Sequence, residues 1–132
     1  MNSITRWTLD KDKELTGIWV DLGNGEKARI RPSGKLNHEQ LDAMRQGVLD
    51  AGYNSPSEMP NDEFLDLLVS ALANQVLIDW KGFTGRDNLE LEPTFENKKL
   101  LLSQELFRSA IVEEAEKIAN FLIDENEEAE KN

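Results

Sequence analysis

The sequence predicts a mainly α-helical protein, a small bundle of about four helices with an N-terminal β-hairpin packed on it. Two observations predict this fold. Apolar residues recur at helical spacing in several segments after residue 37. Nearer the N-terminus, two β-forming runs flank a Gly-Asn-Gly sequence. The length of 132 residues is that of one domain, to which we assign residues 1–124.

The hairpin is predicted over residues 17–31. Its two runs are rich in β-forming residues, and Gly23-Asn24-Gly25 between them favours a tight turn. Pro32 ends the second run, because proline cannot donate a hydrogen bond to a strand ladder. An isolated hairpin is marginal in water, so its apolar side chains should pack on helices. These side chains are Ile18, Val20, Ala28 and Ile30.

Four helices are predicted after the hairpin, over residues 37–51, 61–80, 94–102 and 104–124. Asn37 and Thr94 are suitable N-caps for the first and third of them. The helix over residues 61–80 is the most apolar, so it is either the central helix or partly covered by another chain. In the helix over residues 37–51, one face carries Leu41, Met44, Val48 and Leu49. Residues 125–132 are predicted to form an acidic flexible tail.

The net charge of −11 is concentrated in the C-terminal part of the chain. Residues 1–60 carry eight Lys or Arg and nine Asp or Glu, whereas residues 61–132 carry seven and seventeen. An acidic surface repels nucleic acid backbones, which disfavours DNA or RNA as a partner. Solubility is the simplest interpretation of this charge, and attraction to a basic partner or mimicry of DNA are the alternatives.

Several features favour a soluble cytoplasmic protein. No apolar run approaches the roughly 18 residues of a transmembrane helix. The first seven residues lack the apolar stretch of a signal peptide. The chain contains no cysteine, which excludes disulfides and cysteine-ligated zinc. We therefore expect no membrane partner.

No residue pattern in the sequence predicts an enzyme. His38 is the only histidine, and it lies at a predicted helix start. No serine lies in the strand-to-helix setting of a catalytic nucleophile. The acidic residues at positions 10, 12 and 14 alternate like the start of a calcium loop, but Leu15 and Asp21 stand where such a loop requires glycine and glutamate. We expect no catalytic residue, no cofactor and no metal ion.

Three segments of the chain carry a resemblance to a known family. An apolar segment ends in Asp79-Trp80-Lys81-Gly82, and a polar break separates it from Thr94-Phe95-Glu96-Asn97-Lys98 and the pair Leu100-Leu101. The third segment is the opening around Trp19. Over roughly residues 15–125, these features resemble the tail assembly chaperones of long-tailed, siphovirus-type bacteriophages and prophages. The family's helix start resembles Ser-Pro-Glu-Asn-Ala, and this sequence departs from it at the proline and the alanine.

The resemblance implies a protein that is not an enzyme, that binds the tape measure protein and that recruits tail tube subunits. Such a chaperone acts during tail assembly in the cytoplasm of the bacterial host and is absent from the mature virion. Self-association is a further expectation, because the predicted helix over residues 61–80 is apolar over much of its circumference.

The motif residues have a structural interpretation as well as a partner-contacting one. At a helix end, Trp80 can fill the space at the end of the bundle, and the positive charge of Lys81 can interact favourably with the C-terminal end of the helix dipole. Gly82 can adopt the left-handed conformation of a helix C-cap. Asn97 can hold the start of the next helix. The positions that carry the resemblance are Trp19, Asp79, Trp80, Lys81, Gly82, Glu96, Asn97, Leu100 and Leu101. A candidate apolar groove for the partner is formed by Phe64, Leu68, Leu72, Phe83, Phe95 and Phe107.

Two other functions are compatible with the sequence. One is an acidic phage-encoded inhibitor that mimics DNA, which requires a regular stripe of free carboxylates. The nearly neutral N-terminal half argues against this reading. The other is a different small phage morphogenesis protein with a similar helical build.

Overall fold

A computed structural model of the chain describes residues 2–123. These residues form six α-helices and one three-stranded antiparallel sheet, so the protein is mainly α-helical as predicted. The predicted acidic tail at residues 125–132 lies outside the described residues. In chain order the elements are α1 (Ser3–Arg6), α2 (Lys11–Thr16), β1 (Ile18–Gly23), β2 (Glu26–Ile30), α3 (His38–Asp50), α4 (Asn61–Gln75), β3 (Leu77–Lys81), α5 (Phe95–Leu102) and α6 (Glu105–Ala115).

The sheet has the order β1-β2-β3, with β2 in the centre. The β1–β2 hairpin turns through Asn24 and Gly25, which both have positive φ angles of 54° and 78°. Val20, Ala28 and Trp80 are aligned across the three strands, and all three are buried. This face of the sheet therefore packs on the helices, as the pattern of the hairpin predicts.

Residues 77–81 form a strand, so the predicted helix over residues 61–80 is wrong at its C-terminal end. Helix α4 ends at Gln75, and Val76 leaves the helical conformation with φ −121° and ψ −57°. These residues form a strand because they pair with the free edge of β2. The third strand stabilises the β1–β2 hairpin, which alone would be only marginally stable. A short apolar run such as Leu77–Trp80 fits a strand and a helix equally well.

The last predicted helix, over residues 104–124, is also too long. Helix α6 ends at Ala115, and a 3-10 turn follows over Ile118–Phe121. The side-chain amide of Asn120 donates to the carbonyl oxygen of Glu114 at 2.9 Å, which satisfies the end of the helix. This break returns Phe121 to the core, where it is fully buried, while Ile118 is left exposed.

The two short helices near the N-terminus have no counterpart in the predicted fold. Helix α2 begins at the N-cap Asp10, whose carboxylate accepts hydrogen bonds from the backbone N–H groups of Asp12 and Lys13. The backbone N–H of Asp10 donates to the carbonyl oxygen of Phe121 at 2.8 Å. The N-terminal segment is thereby held beside the last described residues.

Helix α4 is in contact with α3, α5 and β3, and it supplies much of the core. The core also contains residues of the sheet, of the segment after β3 and of α6. Its buried members are Val20, Ala28, Ile30, Val69, Leu72, Ala73, Val76, Leu77, Trp80, Phe83, Leu102, Ile111, Ala115 and Phe121.

Candidate functional site

Trp80 is a core residue that anchors the segment after β3. Its side chain is only 5% exposed, and its Nε1–H donates to the carbonyl oxygen of Leu91 at 2.7 Å. Its ring centroid lies 5.1 Å from that of Phe83, which in turn meets Phe107 edge to face at 5.8 Å. Trp80 therefore fills space in the protein interior, as its structural interpretation predicts, but it lies on a strand and not at the end of a helix.

Gly82 allows two backbone segments to approach each other closely. Its φ angle is +82°, and a Cβ atom at this position would lie 2.1 Å from the carbonyl oxygen of Gly25 in the hairpin turn. The predicted role of Gly82 as a helix cap is wrong, because β3 and not a helix precedes it. The Trp-Lys-Gly motif thus joins the third strand to the turn of the hairpin.

The outer face of the sheet brings together two of the motif residues. The Nζ atom of Lys81 lies 4.2 Å from the centroid of the Trp19 ring, and Trp19 is 39% exposed. On the central strand, Arg29 is paired with Trp19 on one side and with Asp79 on the other. Lys81 was expected at a helix end, and it contacts an aromatic ring because its segment is a strand.

The helix start at residues 94–98 is built by local hydrogen bonds. The hydroxyl of Thr94 accepts from the backbone N–H of Asn97 at 3.2 Å, which confirms Thr94 as the N-cap of α5. The side-chain amide of Asn97 donates to the carbonyl oxygen of Glu92 at 2.9 Å. Lys98 donates from Nζ to the carbonyl oxygen of Ile78 at 3.0 Å, and burial lowers its pKa while Asp79 opposes that shift.

The remaining motif positions on α5 differ in their exposure. Glu96 and Leu100 are exposed, and Leu101 packs partly buried against the core. Leu100 and Leu101 line a shallow concavity beside residues 84–86. Most of the motif positions on β3 and α5 thus hold the fold together, whereas Glu96 and Leu100 are available to a partner.

The six residues of the predicted apolar groove are divided between core and surface. Leu72 and Phe83 are buried, and Phe107 packs against Phe83, so these three build the interior. Leu68 is partly buried against the same core. Of the other two, Phe64 is half-buried on α4, and Phe95 is 39% exposed with Nζ of Lys99 5.5 Å from its ring centroid.

An open apolar concavity lies instead along α3, and we call it the α3 groove. It has a volume of about 480 Å³ and is lined by Leu41, Met44, Arg45, Val48, Leu49, Asn54, Ser55 and Pro56. Leu41 is 37% exposed and Leu49 is 52% exposed, whereas Val48 forms the buried floor. The apolar stripe that periodicity assigns to one face of this helix therefore remains partly open to solvent.

Two features fix α3 in this orientation. A Cβ atom on Gly47 would lie 2.2 Å from Cδ1 of Leu67, so the absence of a side chain allows α3 and α4 to pack closely. At the start of α3, the buried side-chain amide of Asn37 donates to the carbonyl oxygens of Pro32 and Gln75 at 2.9 and 2.8 Å. Sequence reasoning identified Asn37 as an N-cap, but nothing local indicated these two additional contacts.

A second concavity lies between α3 and α4, and we call it the acidic groove. It has a volume of about 450 Å³ and is lined by Gly47, Ala51, Met59, Asp62, Glu63, Asp66, Leu67 and Ser70. Three of these eight residues are carboxylates, and none of the eight is Lys or Arg. A hydrogen bond with Glu63, together with burial and the charges of Glu63 and Asp62, raises the pKa of Tyr53.

The described part of the chain contains no cluster of three or more His, Cys, Asp or Glu residues placed to hold a metal ion. Among the helices of residues 2–123, none has the length and apolar character required to cross a membrane.

Comparison with known proteins gives a family but no relative of known structure. The family model described as YdaY prophage protein matches residues 35–132, which is 98 of the 132 residues. The matched region includes both grooves and β3, whereas the hairpin strands that pair with β3 precede it. No curated protein and no solved structure matches the chain. The chain belongs to the YdaY prophage protein family.

Proposed function

We propose that this prophage protein is a tail assembly chaperone. In this proposal it binds the tape measure protein and recruits tail tube subunits in the cytoplasm of the bacterial host, and it is absent from the mature virion. The prophage family and the resemblance at Trp19, at Asp79–Gly82 and at the start of α5 support this assignment. The observation that carries it is the partly open apolar stripe of the α3 groove.

The physical basis is the shielding of apolar helical surface. A tape measure protein exposes long apolar helical faces before the tail tube surrounds it, and such surfaces aggregate in water. A groove with apolar walls binds an amphipathic helix through side chains at i, i+3, i+4 and i+7 spacing. Leu41, Met44 and Leu49 supply such walls, and Pro56, at the start of a 3-10 turn, also lines the groove.

Co-expression with a helical segment of the tape measure protein tests this proposal. The wild-type chain should keep that segment in the soluble fraction and should co-purify with it. Leu49→Glu should abolish both effects, because it places a charge in the apolar wall at an already exposed position. Leu106→Glu is the matched control, since Leu106 is 88% exposed on α6 and is not one of the groove residues.

Two results would contradict the proposal. One is an unchanged solubility of the segment in the presence of the wild-type chain. The other is a tagged chain that recovers neither tape measure nor tail tube protein from prophage-induced cells. Sedimentation of the purified chain tests self-association separately, for which exposed Leu65 on the apolar helix α4 is the candidate contact.

An acidic inhibitor that mimics DNA is the alternative, and the net charge of −11 is the observation that favours it. Several carboxylates, however, are engaged locally. Glu114 pairs with Lys117 at 2.8 Å, and Asp42 pairs with Arg45 at 3.3 Å. Recovery of a nuclease or another DNA-binding protein in place of tail proteins would favour the inhibitor.

A further inference from the structure

We infer that the acidic groove receives Lys or Arg side chains of the partner, so that the chain selects amphipathic helices whose apolar stripe is flanked by basic residues. This inference rests on the proposed function and names the chemical class of the segment that is bound. The observation behind it is the juxtaposition of the two grooves on α3, one apolar and one lined by three carboxylates.

The composition of the acidic groove suits long basic side chains. Met59 and Leu67 provide apolar contact for the methylene stem of a lysine or arginine. Asp62, Glu63 and Asp66 provide carboxylate oxygens for its charged end. Asp62 and Asp66 are four residues apart on α4, so their side chains lie on the same face of this helix.

The carboxylates of the acidic groove are weakly compensated by the described part of the chain. Lys99 approaches Asp66 at 3.7 Å, but the Asp66 side chain is 75% exposed, so water screens this pair. Lys99 also lies over the ring of Phe95. A hydrogen bond to Glu63 and burial raise the pKa of Tyr53, and the negative charges of Glu63 and Asp62 add to this shift.

The position of α3 links the two recognition features. Leu41, Met44 and Val48 face the α3 groove, and Gly47 and Ala51 on the neighbouring face border the acidic groove. The two grooves thus open on neighbouring faces of one helix, and in our proposal a helix bound along the apolar stripe of α3 presents one flank toward the carboxylates. Charge complementarity between that flank and the groove favours lysine or arginine there and disfavours glutamate.

Designed peptides of about 18 residues test this inference. All carry the same leucine stripe at i, i+3, i+4 and i+7 spacing, and their flanking positions are lysine, glutamine or glutamate. Fluorescence anisotropy measures their binding to the full chain at low and physiological salt. The lysine-flanked peptide should bind about tenfold more tightly than the glutamine-flanked one, and added salt should reduce the difference.

A charge-neutralising variant isolates the contribution of the groove. The triple variant Asp62→Asn, Glu63→Gln, Asp66→Asn should bind the lysine-flanked peptide about tenfold more weakly and lose most of the salt dependence. The control is Glu105→Gln, Glu113→Gln, Glu116→Gln, which removes the same number of charges from exposed positions on or next to α6. This control should bind like the wild-type chain, and circular dichroism confirms that both variants are folded.

The outcomes separate this inference from the proposed function. Equal affinity for the lysine- and glutamine-flanked peptides, with Leu49→Glu still abolishing binding, would overturn the inference and leave the chaperone proposal intact. Equal losses in the groove variant and the control variant would overturn it as well, because net charge alone would explain them. Absence of binding to any peptide would also overturn it, and the co-expression experiment then decides the proposed function independently.

Discussion

Replacement of Gly82 by alanine should destabilise the fold far more than the same replacement at Gly52. Both glycines have positive φ angles, +82° and +90°, so alanine is strained at either position. Their surroundings differ. A Cβ atom at Gly82 would lie 2.1 Å from the carbonyl oxygen of Gly25, whereas a Cβ atom at Gly52 would have no atom of residues 2–123 within 4 Å. The pair therefore separates backbone strain from the close approach of two segments.

The expected magnitudes follow from these distances. A left-handed conformation costs alanine about 1–2 kcal/mol, and the lower entropy of the unfolded alanine chain offsets roughly 0.4–1 kcal/mol of that cost. Gly52→Ala should therefore lower the free energy of unfolding by about 1 kcal/mol. At Gly82 the backbone of the hairpin turn must also move by about 1.3 Å, from 2.1 Å to the 3.4 Å of ordinary contact, which adds about 1–3 kcal/mol of overpacking. We expect a total of about 3 kcal/mol for Gly82→Ala.

Urea unfolding followed by tryptophan fluorescence and far-UV circular dichroism measures both variants. Failure of Gly82→Ala to fold under conditions in which Gly52→Ala folds would agree with the prediction. Free energies of unfolding that differ by less than about 0.5 kcal/mol between the two variants would contradict this prediction. In that case the carbonyl oxygen of Gly25 would not limit the space at Gly82, and the Trp-Lys-Gly motif would require another explanation.

Three further perturbations test individual contacts. Trp80→Phe should lower the free energy of unfolding, measured in urea, by about 1–3 kcal/mol, because the carbonyl oxygen of Leu91 loses its 2.7 Å hydrogen-bond donor. A loss no larger than that caused by a substitution at an exposed position would show that this hydrogen bond does not stabilise the fold. Asn37→Ala should cost about 2–4 kcal/mol, because the carbonyl oxygens of Pro32 and Gln75 lose their donor and α3 loses its N-cap, and neutrality in the same assay would disagree. Hydrogen bonds from Lys117 and Asn120 lower the pKa of Glu114, so its contribution to stability is present above the ordinary carboxyl pKa of 4.5 and is lost as pH falls through the lower folded value. Glu114→Gln should therefore flatten the stability–pH curve between roughly pH 5 and 3, and an unchanged slope would contradict this contribution.

Short sequence motifs predicted the structure correctly where hydrogen bonds between neighbouring residues determine it. The Gly23-Asn24-Gly25 sequence indicates the hairpin turn, and the caps Asn37 and Thr94 indicate the starts of α3 and α5. Strand β3 could not be predicted in this way, because Leu77–Lys81 continues the apolar pattern of α4. Only pairing with β2, some fifty residues earlier in the chain, decides its conformation.

The candidate site was predictable in part. Periodicity placed the apolar residues of α3 on one face of the helix, but it did not indicate that this face is partly open to solvent. The contact of Gly47 with Leu67 and the tertiary hydrogen bonds of Asn37 turn the stripe toward solvent, and sequence spacing does not reveal such contacts. Leu72 and Phe83 show the opposite difference. They were predicted to line an apolar groove at the surface, and they are buried in the folded protein.

Site-specific crosslinking shows directly whether a helix of the tape measure protein lies in the α3 groove, as we propose. The chain has no cysteine, so Leu49→Cys and Leu106→Cys each carry one photoreactive maleimide at an exposed position. After irradiation with a co-expressed tape measure segment, peptide mass spectrometry locates the adducts. We expect adducts from position 49, on a helix flanked by lysine or arginine, and few from position 106. Equal labelling from both positions, or labelling from position 106 alone, would contradict it.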